Sequence, residues 1–285
     1  MKNELKEIQK QINRDKMFKA KLRTLFLKRS NELEKEIRSY VLDYEEIKLE
    51  EHFYRANKDE IDKLREEVED AKKSVGKDAA ARIAMLYLGY RMTKNKVLET
   101  KVDVGTIKLA DDEIKLIENY LRKEITREAS RMNKLLNLKD KTLNIDKIIN
   151  SENYKATFSQ RVWRDQIELR NRLITNLNKS IAQGQNPKTW SRNLKDLVNK
   201  DFKNANYAAE RIAITESARM QIDVQEEAFE RNGTKHWVWV AEPTACPDCA
   251  DLDGEIFEVG TVDPLPGYIH PFVDAPELLS IRLGA

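Results

Sequence analysis

The chain has 285 residues, enough for one large domain or two ordinary ones. Hydrophobic residues make up 40% and charged residues 35%, which leaves side chains for a core and excludes wholesale disorder. A net charge of +2, from 51 basic and 49 acidic groups, excludes a histone-like polycation but not a local basic surface, and no apolar run approaches the length of a bilayer span.

The first thirty residues are charged throughout and have no apolar core of a secretory signal, so the chain is expected to begin in a cytoplasm. The first proline is Pro187, and the other six all lie beyond residue 240. A proline-free stretch of 186 residues rich in Glu, Lys, Leu, Arg and Ile predicts nearly continuous helix. Residues 1–75 suit long amphipathic helices, a hairpin or coiled coil, with one apolar patch at Leu22, Leu25, Phe26 and Leu27. A more uniformly apolar helix is predicted around Ala79–Tyr90, with further helices to about Asn150.

From Tyr154 a helix runs toward Gly184, a natural left-handed terminator. Asn186 and Pro187 then read as the cap and first residue of the next helix, which puts Trp190, Leu194, Leu197 and Val198 on one face. A longer helix is predicted over roughly Tyr207–Arg231, ending at Gly233. In the strand-like KHWVWVAE, Trp237 and Trp239 share one side and His236, Val238 and Val240 the other. A second strand is expected near Glu255–Val259. The fold class expected is mainly α: a long helical N-terminal region, a helical segment, and a small α+β C-terminal module with short strands.

Three clusters bear on chemistry. Cys246-Pro-Asp-Cys249 aims two thiols at one point, as a tetrahedral zinc site needs. His270 is a plausible third ligand, His236 a strained fourth, and a redox pair or inert side chains are the alternatives. Arg211, Thr215, Glu216 and Arg219 fan over roughly 140° of one helix face. They form either a solvated face with one ion pair or a buried polar network that orients a docking surface. Residues 151–200 carry net charge +6 and residues 201–285 net −10. In the basic stretch, Arg161, Arg164, Arg170, Arg172, Lys188 and Arg192 could face phosphate, with an ordinary solvated surface as the default; Trp163 and Trp190 suit a core. Asp248, Asp251 and Asp253 could hold a cation, though in a turn such groups more often cap the backbone. Walker, GxSxG and HExxH motifs are absent, and three histidines leave little general-base chemistry at neutral pH.

Arg211–Arg219 (RIAITESAR), then KHWVWVAEPTACPDCADLDGEIF, then YIHPF, resemble the minor head, or head-morphogenesis, proteins of tailed phages related to protein F of phage Mu. The resemblance covers roughly 154–272 and rests on the order of its motifs: a Thr-Glu-x-x-Arg helix, an aromatic strand, CPxC, LDG and a closing His-Pro. It marks Arg211, Thr215, Glu216, Arg219, Trp237, Asp253 and Gly254 as family-motif positions. It implies a non-enzymatic, portal-associated virion component inside the head, present in the host cytoplasm during assembly. It further implies portal and major capsid or scaffold proteins as partners, no membrane, and a role in head assembly or genome packaging and ejection, with packaged DNA as a further partner. The segments are then 1–150, helical and coiled-coil-like; 151–272, the head-morphogenesis module; and 273–285, a divergent tail.

In the family, a Cys-x-Cys pair follows the His-Pro; here Val273-Asp274-Ala275 stands in that place. Cys-Arg-Cys encoded TGT-CGA-TGC reads Val-Asp-Ala after loss of its first base, so a frameshift accounts for the tripeptide, and simple divergence is the alternative. Without the second pair, a zinc knuckle at Cys246, Cys249 and His270 is incomplete and zinc is held weakly or not at all. Two other readings remain: a metal-dependent enzyme or toxin using those three residues, and a plain coiled-coil scaffold.

Overall fold

The computed structural model describes residues 2–42, 55–86, 88–138, 144–152, 155–182, 187–239, 247–260 and 282–283. Its helices are α1 (Lys2–Leu42), α2 (Lys58–Ser74), α3 (Lys77–Ala84), α4 (Lys94–Leu135), α5 (Ile145–Ile149), α6 (Phe158–Ala182), α7 (Pro187–Asn232) and α8 (Pro247–Ala250). The strands are β1 (His236–Val238), β2 (Ile256–Glu258) and β3 (Arg282–Leu283), in the order β2-β1-β3. Both pairings are antiparallel, with Trp237 opposite Phe257 and Leu283. The fold is mainly helical with a small C-terminal sheet, as the composition predicts. The segment beyond 272 supplies β3.

The chain forms two compact units, each discontinuous in sequence. The first comprises residues 1–21, 116–160 and 209–285; the second comprises 22–115 and 161–208. The long helices α1, α4 and α7 each contribute residues to both.

Local signals place the elements. Asn57 caps α2 through a reciprocal box: its side chain accepts from the Glu60 amide at 2.9 Å, and Glu60 accepts from the Asn57 amide at 2.6 Å. Ile61, Leu64, Val68 and Ala71 then form the buried stripe of α2. The start of α3 is capped from a distance, since the Gly76 amide donates to both carboxylate oxygens of Asp111, at 3.2 and 3.1 Å. A Cβ at Gly76 would lie 2.8 Å from Asp111 Oδ1. Gly233, at φ +68°, terminates α7 by donating to Glu230 O, while Thr234 N donates to Phe229 O, both at 3.0 Å. That pair of bonds is the Schellman arrangement.

Four predicted helices differ in detail. The segment Ala79–Tyr90 is helical only to Ala84; Met85 and Tyr90 are 85% and 90% exposed, so its apolar character did not mark a buried helix. Two predicted helices after Pro187 are one, because no glycine or proline interrupts residues 188–232. The helix from Tyr154 begins at Phe158; its predicted terminator Gly184 and the cap Asn186 lie outside the described residues. Within α1, Leu22 and Phe26 are buried one turn apart, whereas Leu27 falls on the opposite side and is 60% exposed.

In the first unit, Met132, Leu136, Ile222, Ala228, Phe229, Trp237 and Trp239 make one apolar cluster, with Leu252 and Phe257 partly buried against it. Phe18 stacks on Tyr120 there at 4.0 Å between centroids. In the second unit, Phe26 meets Phe202 edge-on, and the Arg82 guanidinium lies 4.0 Å above the Trp163 ring. Trp163 is a core residue, as its helical spacing suggests.

Candidate functional site

Glu216, Arg219 and Asp223 stand at positions i, i+3 and i+7 of α7, on one face of the helix. Glu216 and Arg219 are both 1% exposed. Arg219 Nε donates to Glu216 Oε2 at 3.0 Å, and Nη2 approaches the same oxygen at 2.9 Å. Nη1 donates to Asp223 Oδ2 and to Ser151 Oγ, each at 2.8 Å. Ser151 Oγ in turn donates to Ile148 O at 2.7 Å, at the end of α5. One guanidinium therefore ties α7 to a turn 68 residues away in sequence. The face is a buried network and not a solvated one. Thr215 and Arg211 are half-buried.

Asp223, four residues beyond Arg219, could have been read from helical spacing. Ser151 could not, because nothing local links residues so far apart in the chain.

The aromatic strand and the Leu-Asp-Gly turn form the second half of the arrangement. Trp237 and Trp239 point to the same side of β1, both 1% exposed, while His236 is exposed. Phe257 of β2 lies 4.8 Å from Trp237 between ring centroids. Gly254 adopts φ +89°, which a side chain resists even though open space surrounds the position. This lets its amide donate to Trp239 O at 2.9 Å, while Trp239 N donates to Glu255 O at 2.9 Å. Leu252 enters the tryptophan cluster and Asp253 is exposed. The indole N–H groups of both tryptophans are buried without an acceptor among the described residues.

Further buried acids line this unit. Asp15 accepts from Tyr120 Oη and, at 2.7 Å, from Gln11 Nε2; burial pushes its pKa up to about 6. Glu128 accepts from Arg131 and from Gln225 Nε2. Glu226 is raised to about 7, by burial first and then by Asp223 and Glu230. Asp15 and Glu128 are each held by donors from another helix, an arrangement that fixes helix register.

The basic residues of α6 belong to the second unit. Arg164 and Arg172 are exposed, and Arg161 is half-buried. These three fall within about 80° of one face, but exposed Glu168 sits among them. Arg170 lies on the other side and donates to both carboxylate oxygens of Asp103. The side chains of Lys188 and Arg192 lie outside the described residues. So do Cys246, His270 and the side chain of Cys249, whose backbone forms part of α8. Among the described residues, no group of three or more His, Cys, Asp or Glu side chains could hold a metal ion. None of the described helices is long and apolar enough to cross a membrane.

Residues 171–274 match the model of the family described as phage Mu protein F like protein. The match contains α7, the tryptophan strand and the Leu-Asp-Gly turn, and it supports placing this segment in a phage head-morphogenesis family. No curated protein and no solved structure matches the chain.

Proposed function

We propose that this protein is a minor head component of a tailed phage or prophage, which docks to the portal or the inner capsid wall and acts in head assembly or in genome packaging and ejection. The observation that carries the reading is the family match over residues 171–274. The geometry within that segment agrees with a docking module that makes and breaks no bonds. Arg219 holds Glu216, Asp223 and Ser151, and Trp237 and Gly254 are engaged in packing and turn geometry. On this reading the protein resides inside the head, and Cys246, Cys249 and His270 form an incomplete zinc knuckle that holds the metal weakly. Mass spectrometry of purified virions from the source replicon tests it. The chain is expected among the head proteins in low amount and should co-purify with the portal. Virions in which every neighbouring structural product is detected and this chain never is would overturn it.

A further inference from the structure

In the first unit, the outward face of α1 exposes charges of a single sign. Lys6, Lys10, Lys16 and Lys21 are exposed there, and they fall within about 140° of the helix circumference over a rise of about 22 Å. The residues exposed between them are Gln9, Asn13, Met17 and Ala20. No acidic side chain of α1 is exposed between residues 6 and 31. Glu7 is half-buried and paired with Lys10 at 2.6 Å, and Asp15 is buried toward Tyr120. Lys6, Lys16 and Lys21 make no ion pair among the described residues. In a chain with 51 basic and 49 acidic groups, such segregation is unlike the mixed surface of α6, where Glu168 interrupts the arginines.

We propose that this face of α1 binds the phosphate backbone of duplex DNA without reading its sequence. The occupant rests on the proposed place of the protein inside a head, where packaged DNA is the abundant polyanion. Lysines on flexible stems suit a backbone that presents one charge per about 1.7 Å of duplex axis. A protein partner fits less well. Lysine is depleted from protein interfaces, and among the described residues of this stretch Met17, at 65% exposure, is the sole large apolar side chain exposed. The basic face assigned by sequence to α6 is therefore not the surface we assign to DNA.

The test is a binding curve with random-sequence duplex DNA as a function of salt, on the full chain. Each lysine that meets a phosphate contributes about one to the slope of log K against log salt. The variant Lys6→Gln/Lys10→Gln/Lys16→Gln/Lys21→Gln should flatten that slope by about 3–4. The variant Arg161→Gln/Arg164→Gln/Arg172→Gln should leave it unchanged. Exposed Lys→Gln changes in a helix preserve helicity, which circular dichroism checks. Wild-type protein that does not bind DNA at low salt would overturn the proposal. So would an unchanged slope in the lysine variant, or binding to anionic phosphatidylserine vesicles without binding to DNA. These outcomes are independent of whether virions contain the chain, so failure here and failure of the head-protein reading are separable.

Discussion

The two compact units each bury a carboxylate completely, and they solve the resulting problem in opposite ways. In the first, Glu216 is met by the guanidinium of Arg219, which is also held by Asp223 and Ser151. In the second, Glu113 is met among the described residues only by the amide of Gln166, at 2.6 Å. Without a cation beside it, burial raises the Glu113 pKa to about 8, so the group carries its proton at neutral pH. A counter-charge is built in beside Glu216, and none stands beside Glu113 among the described residues. The consequence is that the Glu216 network should be sensitive to loss of a partner, and the Glu113 site to pH.

The largest expected effect lies in the first unit. Arg219→Met removes the guanidinium that meets the buried Glu216, and stability should fall by about 3–5 kcal/mol, measured by urea unfolding at pH 7. Adding Glu216→Leu should recover most of that loss, because a buried pair exchanged for apolar groups is close to neutral. If the single and double variants lose equally, the damage comes from packing and not from an orphaned charge. The contrast with Glu113 then collapses.

The second effect has the opposite sign. The folded-state pKa of Glu113 lies above its ordinary 4.5, so the native state keeps a proton that the unfolded chain releases. Burial of Glu113 therefore carries no pH-dependent cost below about pH 4.5, a cost that grows as pH rises, and one that levels off above about pH 8. Glu113→Gln retains an oxygen to accept from Gln166 and removes the titration. It should stabilise the protein by roughly 4 kcal/mol at pH 8, with the gain vanishing toward acid. Paired unfolding curves at pH 5 and pH 8 check this. A gain independent of pH would mean that Glu113 is not the group responsible.

How much of this was legible in the sequence differs between the two units for a physical reason. The end of α7 at Gly233 and the two-residue alternation of Trp237 and Trp239 are local signals, and both were readable. The spacing of Glu216 and Arg219 was also readable, but not their burial. On α7, Ala213, Met220, Ile222 and Val224 are buried around much of the circumference, so periodicity gives no clean inside and outside. The division after Pro187 into two helices was wrong because Asn204 and Asn206 weaken a helix without breaking it. The pairing of Glu113 with Gln166 spans 53 residues and left no trace in sequence; it exists only because α4 and α6 meet. The basic run of α6 was visible as composition, yet its sorting into Arg170, bound by Asp103, and the exposed arginines required the fold.

The smallest effect sharpens the comparison within the first unit itself. Ser151 accepts from Arg219 and donates to Ile148 O, so its hydroxyl ties the network on α7 to a segment outside that helix. Ser151→Ala removes one charge-assisted hydrogen bond but leaves Glu216 and Asp223 in place to balance the guanidinium. The expected loss is about 1–2 kcal/mol. That is well short of the Arg219→Met loss, because charge balance within α7 survives. Hydrogen exchange should localise the loss to α5 and the turn after it, since these lose their tie to α7. An equal loss of protection along α7 would mean that Ser151 supports the ion pair itself, and that the buried charge depends on its distant partner as much as on its helical neighbours.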